Sequence, residues 1–504
     1  VKGFLYVIDE TRRPDWDSFG ALPSICACCA ADHTRRRRRS PVRGFRTGFS
    51  KVSQVLTKEL FYRLPESTGR KIVVFSDSRE DAAQISNGVE RNHYFDLLRE
   101  AVVDELRLLT IGEAQLLEDI RNSTRPFRAY ARRFLEIHPD AETKIQNALQ
   151  TLAGEPPSNP DYRTVYENVR QYVEAVTQRG LSRNVHVETL LPPASNPGDC
   201  GPLVRRLINI GVNPAGNDLL YQEFGWDRQY HFWTNLFDFQ ALRWSDTLPQ
   251  AADRAKGMLY DKLVEGLCDL FYSRLYFSLE SSGLGYLRLR ILDGDLQTYA
   301  LQAGLPPENF RRVCDSAIRV LGDLYRHEGS DFGPPESWPS YGNAKARFKQ
   351  FIRAASDATH ATENALGEAV FAALRSGGHH NGVLTTRHLD VMVALENDPV
   401  WRCPNCRRAH LHPSTGVCTS CATVLPANPN TQCQDLWRLN YLAFSAANGR
   451  FPLRLHCEEL TAQTDDQYER QRHFRGMIVD LPDADRQHGR LIRKVEEIDV
   501  LSVT

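Results

Sequence analysis

Lys71-Ile72-Val73-Val74-Phe75-Ser76-Asp77-Ser78-Arg79-Glu80-Asp81-Ala82-Ala83 is the stretch on which the fold turns. Four apolar, largely β-branched residues between Arg70-Lys71 and Ser76-Asp77 read as a short strand covered on both faces, since such a strand is apolar throughout. A helix follows at once. Ser76, Asp77 and Ser78 can each cap it, Glu80 and Asp81 sit in the first turn where the dipole favours carboxylates, and Ala82, Ile85, Val89 and Leu97 keep a helical apolar spacing. Strand, polar turn and helix make half of a βαβ unit.

The other half lies at the far end of the chain. Leu453-Arg454-Leu455-His456-Cys457 alternates as a strand, Glu469 to Ile478 reads as a helix with Phe474, Met477 and Ile478 beside Arg470, Arg472 and Arg475, and Ile498 to Thr504 reads as another strand. Residues 71–75, 453–457 and 498–503 are therefore expected in one parallel sheet, split in sequence by everything between.

Upstream, Val52, Val55, Leu56 and Leu60 mark a helix that Ser50 can cap and that ends near Pro65. The helix beginning near Glu80 is expected to run to Leu106, after which about 350 residues, far too many for a loop, leave the sheet. That excursion reads as mainly helical: Ala251 to Leu279 carries Leu259, Leu263, Leu267, Leu270, Phe271, Leu275 and Phe277, and Asn309 to Tyr325 carries Phe310, Val313, Ile318 and Leu321. Pro156-Pro157, Pro192-Pro193, Pro306-Pro307 and Pro334-Pro335 mark connectors within it. Ala361 to Leu374 and Val383 to Thr386 read as a plain helix and strand rather than the end of a winged helix, because no recognition helix stands out.

Cys403-Pro404-Asn405-Cys406 and Cys418-Thr419-Ser420-Cys421 form the strongest local motif. Each Cys-x-x-Cys turn sets two thiolates on one side of a knuckle, and two facing knuckles complete the tetrahedral sulfur shell that Zn2+ prefers. Four cysteines leave no open coordination position, so the zinc is expected to be structural; His410 and His412 are spare donors between the knuckles. Cys26, Cys28, Cys29 and His33 admit two readings, a second metal site or ordinary free thiols. Arg35 to Arg39 likewise read as a solvated loop or as a phosphate contact.

The 504 residues are enough for about three domains, and 41% hydrophobic with 25% charged is ordinary for a globular protein. A formal charge of -1 gives no global basic signal, so any nucleic-acid surface has to be a local patch. The absence of a signal-peptide layout and of any run of eighteen apolar residues argues against a membrane and for the cytoplasm, and clustered cysteines suit metal binding in a reducing compartment. The chain begins without Met and stops inside an apolar strand, and is expected to be an internal piece of a longer protein. It contains neither a Gly-x-x-x-x-Gly-Lys-Ser/Thr loop nor an Asp-Glu-x-Asp/His stretch, and no nucleophile–base arrangement, so no catalytic residue is assigned.

The order Val73-Val74-Phe75-Ser76-Asp77-Ser78-Arg79, Glu459-Leu460-Thr461-Ala462-Gln463-Thr464 with Glu469-Arg470-Gln471-Arg472-x-Phe474, and Asp499 to Thr504 resembles the second RecA-like lobe of superfamily 2 DEAD/DEAH-box helicases. Ser40 to Gln54 resembles, more narrowly, the large helicases of bacterial anti-phage systems of Druantia or DISARM type. The resemblance implies an α/β, RecA-like parallel-sheet lobe interrupted by a large helical insertion containing a zinc ribbon. Its parts would be a connector at 1–45, lobe two in two pieces at 46–106 and 429–504, a helical insertion at 107–395 and a zinc ribbon at 396–428. It implies an ATP-dependent DNA helicase or translocase in which Ser76, Asp77, Ser78, Arg79, Thr461, Thr464 and Thr504 face nucleic acid. ATP and Mg2+ would be bound by the longer protein, with defence-system subunits as partners, and the chain alone would be inactive. The competing reading is a non-enzymatic zinc-ribbon scaffold that docks nucleic acid or a partner.

Overall fold

The computed structural model describes residues 49–504 apart from 66–68, 194–195, 197, 217–231, 273–277, 331–332, 450–451, 463 and 478–494. The expectations for the 1–45 connector, for Cys26, Cys28, Cys29, His33 and Arg35 to Arg39, for 40–48, and for Leu275, Phe277, Gln463 and Ile478 lie outside the described residues.

The fold is mixed α/β and mostly helical, with small sheets of which one is parallel. That parallel sheet joins the two ends of the described chain. β1 (Ile72–Phe75), β11 (Val500–Val503) and β10 (Cys457–Leu460) lie in the order β1-β11-β10, with Ile72, Val500 and Cys457 in one row and Phe75, Val503 and Leu460 in another. All three strands therefore end level, at one edge.

Two expectations change in detail. The third strand lies at Cys457–Leu460 rather than at 453–457, sharing only Cys457 with the expectation; it begins there because the His456 amide donates to the Asp499 carboxylate at 2.8 Å instead of to a neighbouring strand. β1 is covered on one face only: Ile72 and Val74 pack inward, whereas Val73 is 42% and Phe75 80% exposed, as an edge strand allows. The inner face packs with Phe61 of α1 (Phe49–Arg63), Ile85 and Val89 of α2 (Arg79–Arg107), and Leu453 and Leu455.

α2 runs on through one π turn at Leu108–Gly112 into α3 (Glu113–Arg121), making a continuous helical rod of roughly 60 Å at 1.5 Å per residue. This overruns the expected end at Leu106, and the rod has no single apolar face because it is buried on most sides in succession. Ile85 and Val89 serve the sheet, and Tyr94 to Leu106 serve the main helical core. Its buried charges are paired: Lys58 of α1, fully buried, meets Glu100 at 2.6 Å, and Arg206 meets Asp104 and Glu105. α4 (Ala129–Ile137), α5 (Ala141–Ala153) and α6 (Pro160–Ser182) fold around α3 with a separate small core.

The main core gathers α7 (Pro202–Asn209), α8 (Asp253–Tyr272), α9 (Asp293–Ala303), α10 (Pro307–Asp323), α11 (Ala346–Thr359) and α12 (Glu363–Ser376). The helices expected at 251–279, 309–325 and 361–374 are α8, α10 and α12. Val383 to Thr386 makes no strand, only a bridge between Leu384 and His327. Strands missed by the helical expectation lie here: β2 (Asn184–His186), β6 (Leu389–Val393) and β5 (Gly285–Leu289) form an antiparallel sheet, and β3 (Phe237–Asp238) pairs β4 (Arg243–Trp244). β7 (Pro399–Arg402), β8 (Ala409–His410) and β9 (Thr431–Gln432) make the last small sheet; α13 (Cys433–Leu439) and α14 (Tyr441–Ala447) lead back to α2, and α15 (Gln467–Phe474) joins β10 to β11.

Candidate functional site

The cysteine motif folds as two copies of one turn. In the first, the Cys403 amide donates to Arg408 O at 2.9 Å and the Arg407 amide to Cys403 O at 3.0 Å; in the second, Cys418 donates to Thr423 O and Ala422 to Cys418 O at the same distances. Both turns need a left-handed residue just after their second cysteine, supplied by Arg407 (φ +62°) and Ala422 (φ +59°). β7 and β8 flank the first knuckle, and a Val417–Val424 bridge closes the second.

The knuckles face each other. Cys403 Sγ lies 3.6 Å from Cys421 Sγ and Cys406 Sγ 3.5 Å from Cys418 Sγ, with all four sulfurs within 4.8 Å of one another. A tetrahedral zinc with Zn–S of about 2.3 Å would set its sulfurs roughly 3.8 Å apart, so the donor set fits such an ion. Hydrogen bonding between Cys406 and Cys418 lowers Cys406 to about 5 and raises Cys418 well above the ordinary thiol range. Burial raises Cys403.

A buried ionic knot fastens this module to α10. Arg408, next to the first knuckle, grips Asp323 with both terminal nitrogens, and Arg347 of α11 reaches the same carboxylate at 2.9 Å. Arg319 donates to Glu280 Oε1 and to Ala409 O at 2.7 Å, and the Leu411 amide donates to the same Glu280 oxygen. Burial pushes the Glu280 carboxyl up against the pull of Arg319 and Arg408, and burial pulls Arg319 down to about 10. A cavity of about 20 Å³, the size of a single water, lies among Glu280, Arg319, Asp323 and Arg408. His410 and His412 are buried here, and His412 tilts over the Tyr286 ring at 4.8 Å. Burial holds His410 well below the usual histidine range and His412 at about 3, so both rings are neutral.

The parallel sheet gathers the second set of candidates. Ser76, Thr461 and Thr504 follow β1, β10 and β11, so the level strand ends bring them to one edge with Asp77, Ser78, Arg79 and Thr464 nearby. Several of their hydroxyls are internally engaged. Ser78 caps α2, accepting from the Asp81 amide at 3.1 Å and donating to its carboxylate at 2.9 Å, and Ser76 Oγ donates to Ser78 O. Thr461 is buried and donates to Glu459, while the Thr464 hydroxyl accepts from the Thr461 amide. Asp77, Arg79 and Thr504 are exposed. Arg470 lies against β10, bonded to Glu459 O and Glu458.

Sequence reasoning named His410 as a spare donor between the knuckles, and it lies beside Cys418; the knot was missed, because Glu280, Arg319 and Asp323 lie about a hundred residues from the knuckles with no shared pattern. Among the described residues no helix is long and apolar enough to cross a membrane, and every described cysteine is free of disulfides. The chain matches no family model, no curated protein and no solved structure with which it was compared.

Proposed function

We propose that the chain is part of an ATP-dependent DNA helicase or translocase of an anti-phage defence system. In this reading the parallel sheet with α1, α2 and α15 is a second RecA-like lobe, the helical body is its insertion, and the cysteine module is a zinc ribbon. The observation that carries it is the alignment of three strand ends. The Ser76 and Thr461 turns and Thr504 share an edge beside the N-terminus of α2, where backbone N–H groups favour phosphate oxygens. Such an edge would position a single strand through its backbone without reading bases. ATP and Mg2+ would be held by residues outside this chain, and Cys403, Cys406, Cys418 and Cys421 would hold Zn2+ as a structural ion.

A second reading has its own support. Because Ser78 and Thr461 use their hydroxyls within the fold, a zinc-bearing scaffold that docks a partner would need nothing further from them. The two readings separate on single-stranded DNA binding by the purified chain, measured by fluorescence anisotropy over a salt series, with ATP turnover followed in parallel. The helicase reading expects salt-dependent, sequence-independent binding and no ATP hydrolysis by these residues alone. Absent binding favours the scaffold; turnover would mean that a nucleotide site exists within the chain.

A further inference from the structure

β8 carries His410 into the space between the sulfur cluster and α10, and its two ring nitrogens meet different groups there. Nε2 lies 3.4 Å from Cys418 Sγ, and Nδ1 faces Arg319 Nη1 at 3.3 Å. A guanidinium nitrogen offers hydrogens and no lone pair, so Nδ1 is the acceptor; the tautomer assigned by this network carries its hydrogen on Nε2, aimed at sulfur. His410 is thus placed as a donor to one of the four cysteines and not as a fifth ligand. Behind it, Arg319 is held by Glu280 and Ala409 O, and the adjacent Arg408 is held by Asp323 at the end of α10.

We propose that His410 is a positioning residue that donates its Nε2–H to the metal-bound Cys418 thiolate and, through Arg319, makes metal occupancy the lock on the seam between the cysteine module and α10. The proposal rests on the reading that the four cysteines hold a metal. An ionised sulfur is a much better acceptor than a thiol, so the His410 bond is strong only while the metal keeps Cys418 deprotonated. Partners one step out from the ligands orient them and set how firmly the ion is held. With the metal gone, the imidazole N–H is buried against a poor acceptor, and the ring that separates sulfur from Arg319 loses its anchor. The side chains of Arg408 and Arg319 themselves engage carboxylates and main chain, so His410 is the side chain that bridges from sulfur to that network.

The test uses the full 504-residue chain purified with zinc. Zinc per chain is measured first; release to a chromogenic chelator is then timed for the wild type, His410→Gln and His410→Phe, and amide exchange by mass spectrometry is compared in the wild type with and without zinc. We expect one zinc per chain, release about tenfold faster from H410F, and a rate near wild type for H410Q, which keeps a side-chain N–H donor. Removing zinc should raise exchange in α10, residues 307–323, and leave the N-terminal half of α2 unchanged. In cobalt-substituted protein H410F should move the thiolate-to-metal charge-transfer band to lower energy, because an unsupported thiolate gives up its electron more readily. Equal release rates with zinc bound, or α10 exchange indifferent to zinc in the wild type, would overturn the lock. Absence of zinc from the wild type would instead remove the metal reading itself, and the lock with it.

Discussion

The parallel-sheet edge and the cysteine module both collect polar groups at the ends of short strands, yet they leave those groups in opposite states. At the sheet edge Ser78 closes bonds with the Asp81 amide and carboxylate, Thr461 donates to Glu459, and Thr464 accepts from the Thr461 amide. In the module four sulfurs face one another, with the His410 ring N–H beside Cys418 and the Thr423 hydroxyl beside Cys421. A closed network is sufficient for folding, whereas mutually facing, poorly satisfied donor atoms call for something from outside. The module is thus the sharper candidate site, and the sheet edge depends on the exposed Asp77, Arg79 and Thr504.

The largest effect that could break this contrast is removal of a sulfur. Cys418→Ala should abolish zinc binding and unfold residues 396–428 locally, since a structural zinc contributes on the order of 10 kcal/mol to such small modules. The main core should survive, because its helices pack without the knuckles. Zinc analysis with circular dichroism of the purified variant checks this, and a variant that keeps one zinc would refute the four-sulfur site.

Next in size is the knot beneath the module. Asp323→Ala leaves Arg408 and Arg347 facing one another without their shared carboxylate, at a cost of about 3–5 kcal/mol. Urea unfolding should report it, and a cost under about 1 kcal/mol would show that water already screens the site.

Acid should reveal the buried histidines. Burial, with Lys58 nearby, lowers His93 to about 4, and burial lowers His379 and His412 to about 3. An unfolded histidine binds its proton near 6.5, so below that pH the unfolded state holds more protons and is favoured. Stability should be full above pH 6.5 and fall as pH drops toward 4, by on the order of a few kcal/mol per ring if the fold persists. His93→Gln, which can retain a bond to Leu453 O, should flatten part of that fall; an unaltered profile would mean that His93 is protonated in the folded protein.

How much of this was legible in the sequence follows from how local each signal is. The β1–turn–α2 unit and the two knuckles were readable because every residue that defines them lies within a few positions. That the three segments share one parallel sheet was readable in outline, but its register was not: β10 lies at Cys457–Leu460, its start set by a side chain of the next strand, Asp499, and no pattern within 453–457 reveals that. β5 and β6 alternate visibly, with Leu287 and Leu289 against Leu389, Val391 and Val393 buried. They were missed because the surrounding helical spacing dominated. The exposed Phe75 was misjudged for the same reason in reverse: an apolar run says what a strand is made of, not whether a second layer covers it.

The finest test of the contrast separates two adjacent residues. Ser78 is the cap of α2, and its loss should cost about 1 kcal/mol of stability through the orphaned Asp81 amide. Arg79 is exposed at the first turn of the same helix, so Arg79→Ala should leave stability within about 0.5 kcal/mol. If the sheet edge grips a phosphate backbone, the DNA response should run the other way. R79A should weaken single-strand binding for all sequences alike and make the salt slope shallower by about 0.7, one contact on a single strand, whereas S78A should keep the slope. The two variants therefore dissociate folding from grip at neighbouring positions, which neither could do alone. A slope unchanged in R79A with affinity intact would return the turn after β1 to a single role, the cap of a helix whose other end lies in the main helical core.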